Sequence, residues 1–303
     1  MDTVLVRPYS PGDRSAVAAL FASAGRQPAN AISHSGCCVA VVGGPPESVI
    51  GFGAWWRSRL DKFRMDLLVA QDARRRGVGT CVLNEVVAGA RGAGAATLQA
   101  RAGSEHQESL EFLLARGFVE TMRMHVQVLS VAQANLKPYA HVPAMLAERG
   151  IVLASLPREL SRGEACWEEY ARVFNAAREG WPDPDPGPVT PLTPAEFRRK
   201  HLASELEHGV RADECLLAVR GTRYVGFTGA VGTGVDPGYR RQGIATALKF
   251  QAVVAARERG VTTMQTSTGN PGMLRINERF GFSIVSTEVR LVRTIRIEHD
   301  LRV

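Results

Sequence analysis

The sequence predicts two tandem α/β domains, each a β-sheet flanked by helices, and three observations carry that expectation. At 303 residues with 45% apolar content, the chain is long enough for two cores of ordinary size. Its hydrophobic pattern alternates between short apolar runs of strand type and amphipathic stretches of helical period. The third observation is an internal repeat. Val69 to Gly79, Val-Ala-Gln-Asp-Ala-Arg-Arg-Arg-Gly-Val-Gly, returns 166 residues later as Val235 to Ala245, Val-Asp-Pro-Gly-Tyr-Arg-Arg-Gln-Gly-Ile-Ala. Arg74, Gly77 and Gly79 stand where Arg240, Gly243 and Ala245 stand. Each copy then runs through a helix, a short strand and another helix to a Gly-Phe pair, Gly117-Phe118 or Gly281-Phe282, lying 43 residues after the arginine in the first copy and 41 in the second.

In chain order, Val4 to Arg7 reads as a strand and Pro8 to Asp13 as a turn into a helix whose Val17, Leu20 and Phe21 share one face. Residues 25 to 36, with Gly25, Pro28 and Gly36, read as a loop or short helix over the mouth of a site. The apolar runs Cys37 to Val42 and Val49 to Trp56 flank Gly43-Gly44-Pro45-Pro46 and make a hairpin, with Trp55 and Trp56 on opposite faces of one strand. Met65 to Val69 is the strand entering the first glycine turn, helix 80 to 91 leaves it, and Ala96 to Arg101 is the next strand. Thr121 to Val131 alternates as a closing strand does, with Met122, Met124, Val126 and Val128 on one side.

Pro138, Pro143 and mixed polarity mark the connector, giving an N-terminal domain at 1–133, a connector at 134–149 and a C-terminal domain at 150–303. Ile151 to Leu156 restarts the order, and a helix at Trp167 to Ala177 carries Trp167, Tyr170 and Phe174 on one stripe. Five prolines between Trp181 and Pro191 forbid helix and inner strand there. Thr193 with Glu196 is a capping box opening a largely polar helix, on which His201 is expected to be exposed. Cys215 to Val219 and Tyr224 to Ala230 form a second hairpin, Thr233 to Val235 enters the second glycine turn, and Ser283 to Ile297 supplies the last strands of that domain.

The two glycine turns carry the chemistry. Ile244, Leu248, Ala252 and Ala255 recur at helical spacing behind the second turn, so a helix begins where the turn ends. The first amides of a helix have no internal partners and sit at the positive end of its dipole, which suits a pyrophosphate. Gly243 lets backbone and phosphate approach closely. The formal charge of +7, carried almost entirely by arginine, favours anionic partners in general, and no basic block singles out nucleic acid. Five cysteines (Cys37, Cys38, Cys81, Cys166 and Cys215) set no paired CxxC framework, so neither disulfides nor a metal site is expected. With no signal-peptide pattern and no apolar run of membrane-spanning length, the expectation is a soluble, cytoplasmic chain, a monomer or homodimer, with no membrane partner.

Two copies of strand, Arg-x-x-Gly-x-(Gly/Ala), helix, strand, helix and Gly-Phe make the chain resemble a tandem member of the GCN5-related N-acetyltransferase superfamily. The second copy, with Thr233-Gly234-Val235, Arg240 to Ala245, Lys249 and Asn270-x-x-Met273-x-x-Ile276-Asn277-Glu278, resembles the mycothiol synthase-like branch. The resemblance implies a mixed, mostly antiparallel sheet splayed between two central strands, with the pantetheine of acetyl-CoA or another acyl-CoA inserted as if it were a strand. Thr233, Gly234, Val235, Arg240, Arg241, Gln242, Gly243, Ile244, Ala245, Thr246 and Asn270 would hold that cofactor, with Arg74, Arg75, Arg76, Gly77, Val78, Gly79 and Thr80 as the corresponding set in the first copy.

The resemblance further implies direct attack of a small-molecule amine on the thioester. Asn277 stands where many relatives carry a tyrosine acid, and Leu113 stands there in the first copy. Asp236 and Glu214 are candidate bases, and Asp183 and Asp185 in the proline loop would face the acceptor. Two other functions are compatible with the same residues: transfer of an aminoacyl group from charged tRNA, and a non-catalytic CoA sensor.

Overall fold

A computed structural model describes residues 4–26, 36–44, 47–187 and 189–296, and much of the loop expected at 25 to 36 lies outside them. The chain divides into two units, Met1–Arg123 with Glu288–Val303, and Met124–Thr287. Both are α/β, with mixed, mostly antiparallel sheets flanked by helices.

In the first unit β1 (Leu5–Pro8), β2 (Gly36–Val42), β3 (Ser48–Arg59) and β4 (Lys62–Val69) pair antiparallel in sequence order. β5 (Thr97–Gly103) pairs with β4 in parallel, and only at Lys62–Arg64 against Thr97–Gln99. Helix α1 (Arg14–Ser23) buries Val17, Leu20 and Phe21 against one face of the sheet, as the spacing predicts. Helix α2 (Val78–Gly92) buries Val78, Val82, Leu83 and Val86 against the other. Trp55 packs into the second of these cores and Trp56 into the first, so the two indoles serve packing on opposite faces of β3. Helix α3 (Gln107–Leu114) follows, with Leu113 buried in the same core as α2.

The second unit begins inside β6 (Val119–Ser130) and ends inside β12 (Ser283–Thr294), since the division falls within both strands. β12 therefore serves two units: Glu288–Thr294 pairs with β5 of the first unit. The sequence assigned all of Ser283 to Ile297 to the C-terminal domain, because alternation tells which face a side chain takes but not which strand lies alongside. Residues 134–149, expected as a connector, contain helix α4 (Val142–Glu148), whose Val142 and Leu146 are buried in the core of the second unit.

Strands β7 (Ile151–Ser155), β8 (Leu216–Arg220), β9 (Arg223–Gly229) and β10 (Gly232–Val235) form an antiparallel sheet in the order β10-β9-β8-β7. One face carries α5 (Glu164–Arg178) and α6 (Pro194–His208), joined by an aromatic core of Trp167, Tyr170, Phe174, Phe197 and Phe227. The capping box at the start of α6 forms as predicted, with Thr193 Oγ1 accepting from the Glu196 amide and Glu196 accepting from the Thr193 amide. The other face carries α4 and α7 (Ile244–Glu258) through Ile244, Ala247 and Leu248. β11 (Thr263–Thr268) pairs with β6, and α8 (Pro271–Phe280) ends at the Gly-Phe pair with Phe280 and Phe282 buried against Leu129. No described helix is long and apolar enough to cross a membrane.

Candidate functional site

Within the second unit β10 pairs only with β9, and β11 only with β6, among the described residues. The edges of β10 and β11 that would meet in a closed sheet face instead a cleft of about 570 Å³, lined by Gly232 and Thr233 on one side and Thr263 to Thr268 on the other. α7 supplies Lys249, Ala252, Ala255 and Ala256, and Arg259 at its C-cap, while Asn270 at the N-cap of α8 closes a third side with Met273 and Asn277. An open strand edge presents N–H and C=O groups at fixed spacing, so an extended, amide-bearing ligand can bond there as a strand would.

The glycine turn joins β10 to α7, and no residue from Gly234 to Leu248 lines the cleft. Arg241 has φ +64° and Gly243 has φ +88°, while Arg75 and Gly77 have φ +60° and +85°, so the two copies of the repeat fold into the same turn. In each copy the arginine closes the turn on the carbonyl five residues earlier, Arg240 Nε to Val235 O at 3.5 Å and Arg74 Nε to Val69 O at 3.4 Å. Gly243 caps α7 in the left-handed region with no side-chain cap. That leaves the first-turn amides of Gly243, Ile244, Ala245 and Thr246 turned outward, as a helix start requires. Arg240 also reaches the Ala177 carbonyl at 3.5 Å, which anchors the turn to the end of α5.

Asn277 is buried and donates Nδ2 to Gln127 Oε1 at 2.8 Å. Asn277 Oδ1 and Gln127 Nε2 are both buried without a hydrogen-bond partner. Two orphan atoms beside a cleft are what a polar ligand would satisfy, since leaving each unbonded costs about 1–3 kcal/mol. Asn270 caps α8 through Oδ1, which accepts from the Gly272 and Met273 amides. Lys249 is buried on the cleft wall with its ammonium 4.9 Å from the Phe282 ring centroid, and burial pushes its pKa down to about 8.

The candidate bases separate by position. Glu214 lines the cleft and its carboxylate accepts from Arg259 at 3.0 Å and from the Arg211 amide at 3.1 Å, with Asp213 beside it accepting from Arg211 Nε at 3.0 Å. Asp236 does not line the cleft. Its carboxylate accepts from Arg172 Nη1 at 3.0 Å, the Gly238 amide at 3.1 Å and Arg223 Nη2 at 3.4 Å. Burial alone would raise its pKa, but the bonds from Arg172, Gly238 and Arg223 outweigh that and hold it below the ordinary carboxylate value. A carboxylate so held is a poor proton acceptor and a good turn anchor. Asp236→Asn is accordingly expected to cost about 1–3 kcal/mol of stability at neutral pH while leaving the acid limb of any rate profile in place. A folded pKa below the unfolded one stabilises above the unfolded value, so the gap between variant and wild type should close as pH falls below about 4; urea melts at both pH values check this.

Asp183 lies in the proline loop, where its Oδ1 accepts from the Asp185 amide at 2.9 Å, and neither aspartate lines the cleft. The loop reaches the cleft through Trp181 and Pro182 instead. In the first unit the polar cleft residues are replaced. Lys249 corresponds to Leu83 and Asn277 to Leu113, both buried in the core, and Phe112 lies over Gly79. Lys249, Gln127 and Arg259 had no role assigned from sequence; the legible signal for Lys249 was a lone lysine beside the apolar stripe of α7 in a chain with four lysines.

Residues 170–282 match the acetyltransferase (GNAT) family, a segment running from α5 through the cleft strands, the glycine turn and both cleft helices to Phe282. That segment, and not the whole chain, carries the family's pattern. In fold the chain is similar to a GCN5-related N-acetyltransferase from Sphaerobacter thermophilus, at 17% identity and TM-score 0.67, over 97% of this chain and 96% of that one. A tandem GNAT protein from the clavulanic acid biosynthesis pathway matches at 18% identity and TM-score 0.60, over 97% and 99%. The GNAT region of a fungal multi-domain GH3 β-N-acetylglucosaminidase matches at 14% identity and TM-score 0.70, over 96% of this chain and 38% of that one. No curated protein matches the chain in sequence. The unpaired edges of β10 and β11 lie within the matched segment, and the two full-length likenesses share the fold of the chain.

Proposed function

We propose that the second unit is an acyl-CoA-dependent N-acyltransferase, moving an acetyl group from acetyl-CoA to the primary amine of a small molecule by direct attack. The observation that carries this reading is the pair of open strand edges, β10 and β11, facing one cleft, with β10 running on through the glycine turn into the uncapped start of α7. Acetyl-CoA, when bound, supplies an activated thioester carbonyl. The edges would take its amides, the amides of Gly243 to Thr246 its pyrophosphate, and Asn277 Oδ1 with Gln127 Nε2 a polar group at the cleft wall.

Around that arrangement the chain's own groups divide the work. Glu214, the candidate base that lines the cleft, would take the proton of an ammonium-bearing acceptor in exchange for its bond from Arg259. Lys249 holds a proton at Nζ on the cleft wall, where its charge opposes the negative charge that develops on the leaving side, a duty for which Asn277 has no acidic proton. The first unit, with Leu83 and Leu113 in place of those polar groups, acts as scaffold. Within the superfamily, the Asn270 to Glu278 pattern favours the mycothiol synthase-like tandem branch.

Saturating acetyl-CoA is expected to stabilise the chain by about 2.7 kcal/mol at a hundredfold excess over Kd, and a panel of amines should release free thiol. Neither effect with any amine removes the basis of the proposal. Salt-sensitive retention of charged tRNA would instead favour aminoacyl transfer, and stabilisation by CoA without turnover would favour a sensor.

A further inference from the structure

Behind the cleft wall lies a second cluster of chemistry that acyl transfer does not use. His201 and Glu205 are one helical turn apart on α6, and Cys215 precedes β8. Their ligating atoms all lie within 4.8 Å of one another, with His201 Nδ1 3.6 Å from Glu205 Oε1. His201 is 0% exposed, which corrects its expected place on the surface of a polar helix. It sits among Trp167, Tyr170 and Phe197, and the Tyr170 hydroxyl is likewise buried with no hydrogen-bond partner.

Both ring nitrogens of His201 and Oε1 of Glu205 are buried with no hydrogen-bond partner. Three orphan polar atoms in one place would cost several kcal/mol together if nothing bound them, at about 1–3 kcal/mol each. A borderline cation of the zinc class satisfies two of them at once, one nitrogen of His201 and Oε1 of Glu205. Imidazole, thiolate and carboxylate are its usual donors, and Zn²⁺ distances of about 2.0–2.3 Å put tetrahedral ligand atoms about 3.3–3.9 Å apart, a contraction of at most about 1.5 Å from the spread here.

We propose that His201, Glu205 and Cys215 form a structural site for a zinc-class divalent cation, which ties the end of α6 to the start of β8. The segment between those elements carries Gly209, Val210, Asp213 and Glu214, all on the cleft wall, so the ion fixes the wall that receives the acceptor. Cys215 Sγ also packs under Gly229, where a Cβ would approach to 2.5 Å, so the strand opposite admits only glycine. The CxxC rule passes over this set because its ligands come as a helical i, i+4 pair and one distant cysteine.

The test uses the full-length, untagged chain expressed with Co²⁺ in the medium, so that an enclosed site is loaded as the protein folds. About one Co²⁺ per chain should survive dialysis, with tetrahedral visible bands and a near-ultraviolet thiolate-to-cobalt band. Cys215→Ser should lose the thiolate band, and Cys81→Ser, at an exposed cysteine, should keep it. Glu205→Gln, at a partly exposed position where misfolding is least expected, should weaken retention by at least the roughly tenfold that loss of an outer-shell partner costs. A folded wild-type chain with no bound cobalt, or a thiolate band that persists in Cys215→Ser, overturns the assignment.

Discussion

Gly243→Glu is expected to raise the Kd for acetyl-CoA at least about a hundredfold, near 2.7 kcal/mol, with the fold retained. Gly243 sits at φ +88°, where an L side chain costs about 1–2 kcal/mol, and a Cβ there would meet Met145 Cε at 3.3 Å and Val142 Cγ1 at 3.4 Å. The larger effect is electrostatic. A carboxylate at the first amide of α7 takes the place where the helix dipole favours an anion, so it repels the pyrophosphate proposed to bind there. Gly243→Ala separates the two causes, since it carries the strain without the charge and should weaken binding far less. Gly77→Glu is the matched control: its φ is +85° with nothing within 4 Å of a Cβ, so it bears the same strain in the first unit. Calorimetric titration and steady-state rates should find Gly77→Glu unchanged. Turnover lost only in the Gly77 variant would move the site to the first unit.

That comparison was available from the sequence because the turn is local. A glycine in the left-handed region, an arginine closing on a carbonyl five residues back and an apolar stripe behind them all lie within twenty residues, and both copies fold alike. The hairpins Cys37 to Trp56 and Cys215 to Ala230 were legible for the same reason. What the sequence concealed depends on partners far along the chain. β12 reads as one alternating strand, yet its two halves belong to different units, because period 2 fixes a face and leaves the neighbour open. α6 reads as polar, yet Phe197, His201 and Glu205 follow one another at i, i+4 and i+8 along a single face. The face escaped notice because two of its three residues are titratable. Asp236 misled in the opposite sense. A carboxylate beside the turn suggests a base until Arg172 and Arg223, from α5 and β9, are seen to hold it.

Lys249→Met is expected to make the protein more stable and less active. Burial lowers the Lys249 pKa from 10.5 to about 8, so at neutral pH the fold holds an ammonium in a place that disfavours it. A shift of that size corresponds to a destabilisation on the order of 3 kcal/mol, of which the cation–π contact with Phe282 already returns part. The sign follows from proton linkage. Between pH 8 and 10.5 the unfolded chain binds more protons than the folded one, so stability rises with pH across that window and the cost is complete below it. Methionine has the length of the lysine stem and no charge. Urea denaturation should therefore show the variant ahead by about 2–3 kcal/mol at pH 7 and by little at pH 10.5. Equal destabilisation at both pH values would mean that the side chain matters only as packing.

Activity should move the other way. In the wild type kcat should fall above pH 8 as the ammonium is lost, while deprotonation of the acceptor favours the rate at lower pH, giving a bell. Lys249→Met should lower kcat at least about tenfold and remove the descending limb, because its cleft no longer carries a titrating cation. A helix that places lysine on its buried side gives up stability it could recover by one substitution, and that loss is intelligible only where the charge serves the cleft it faces.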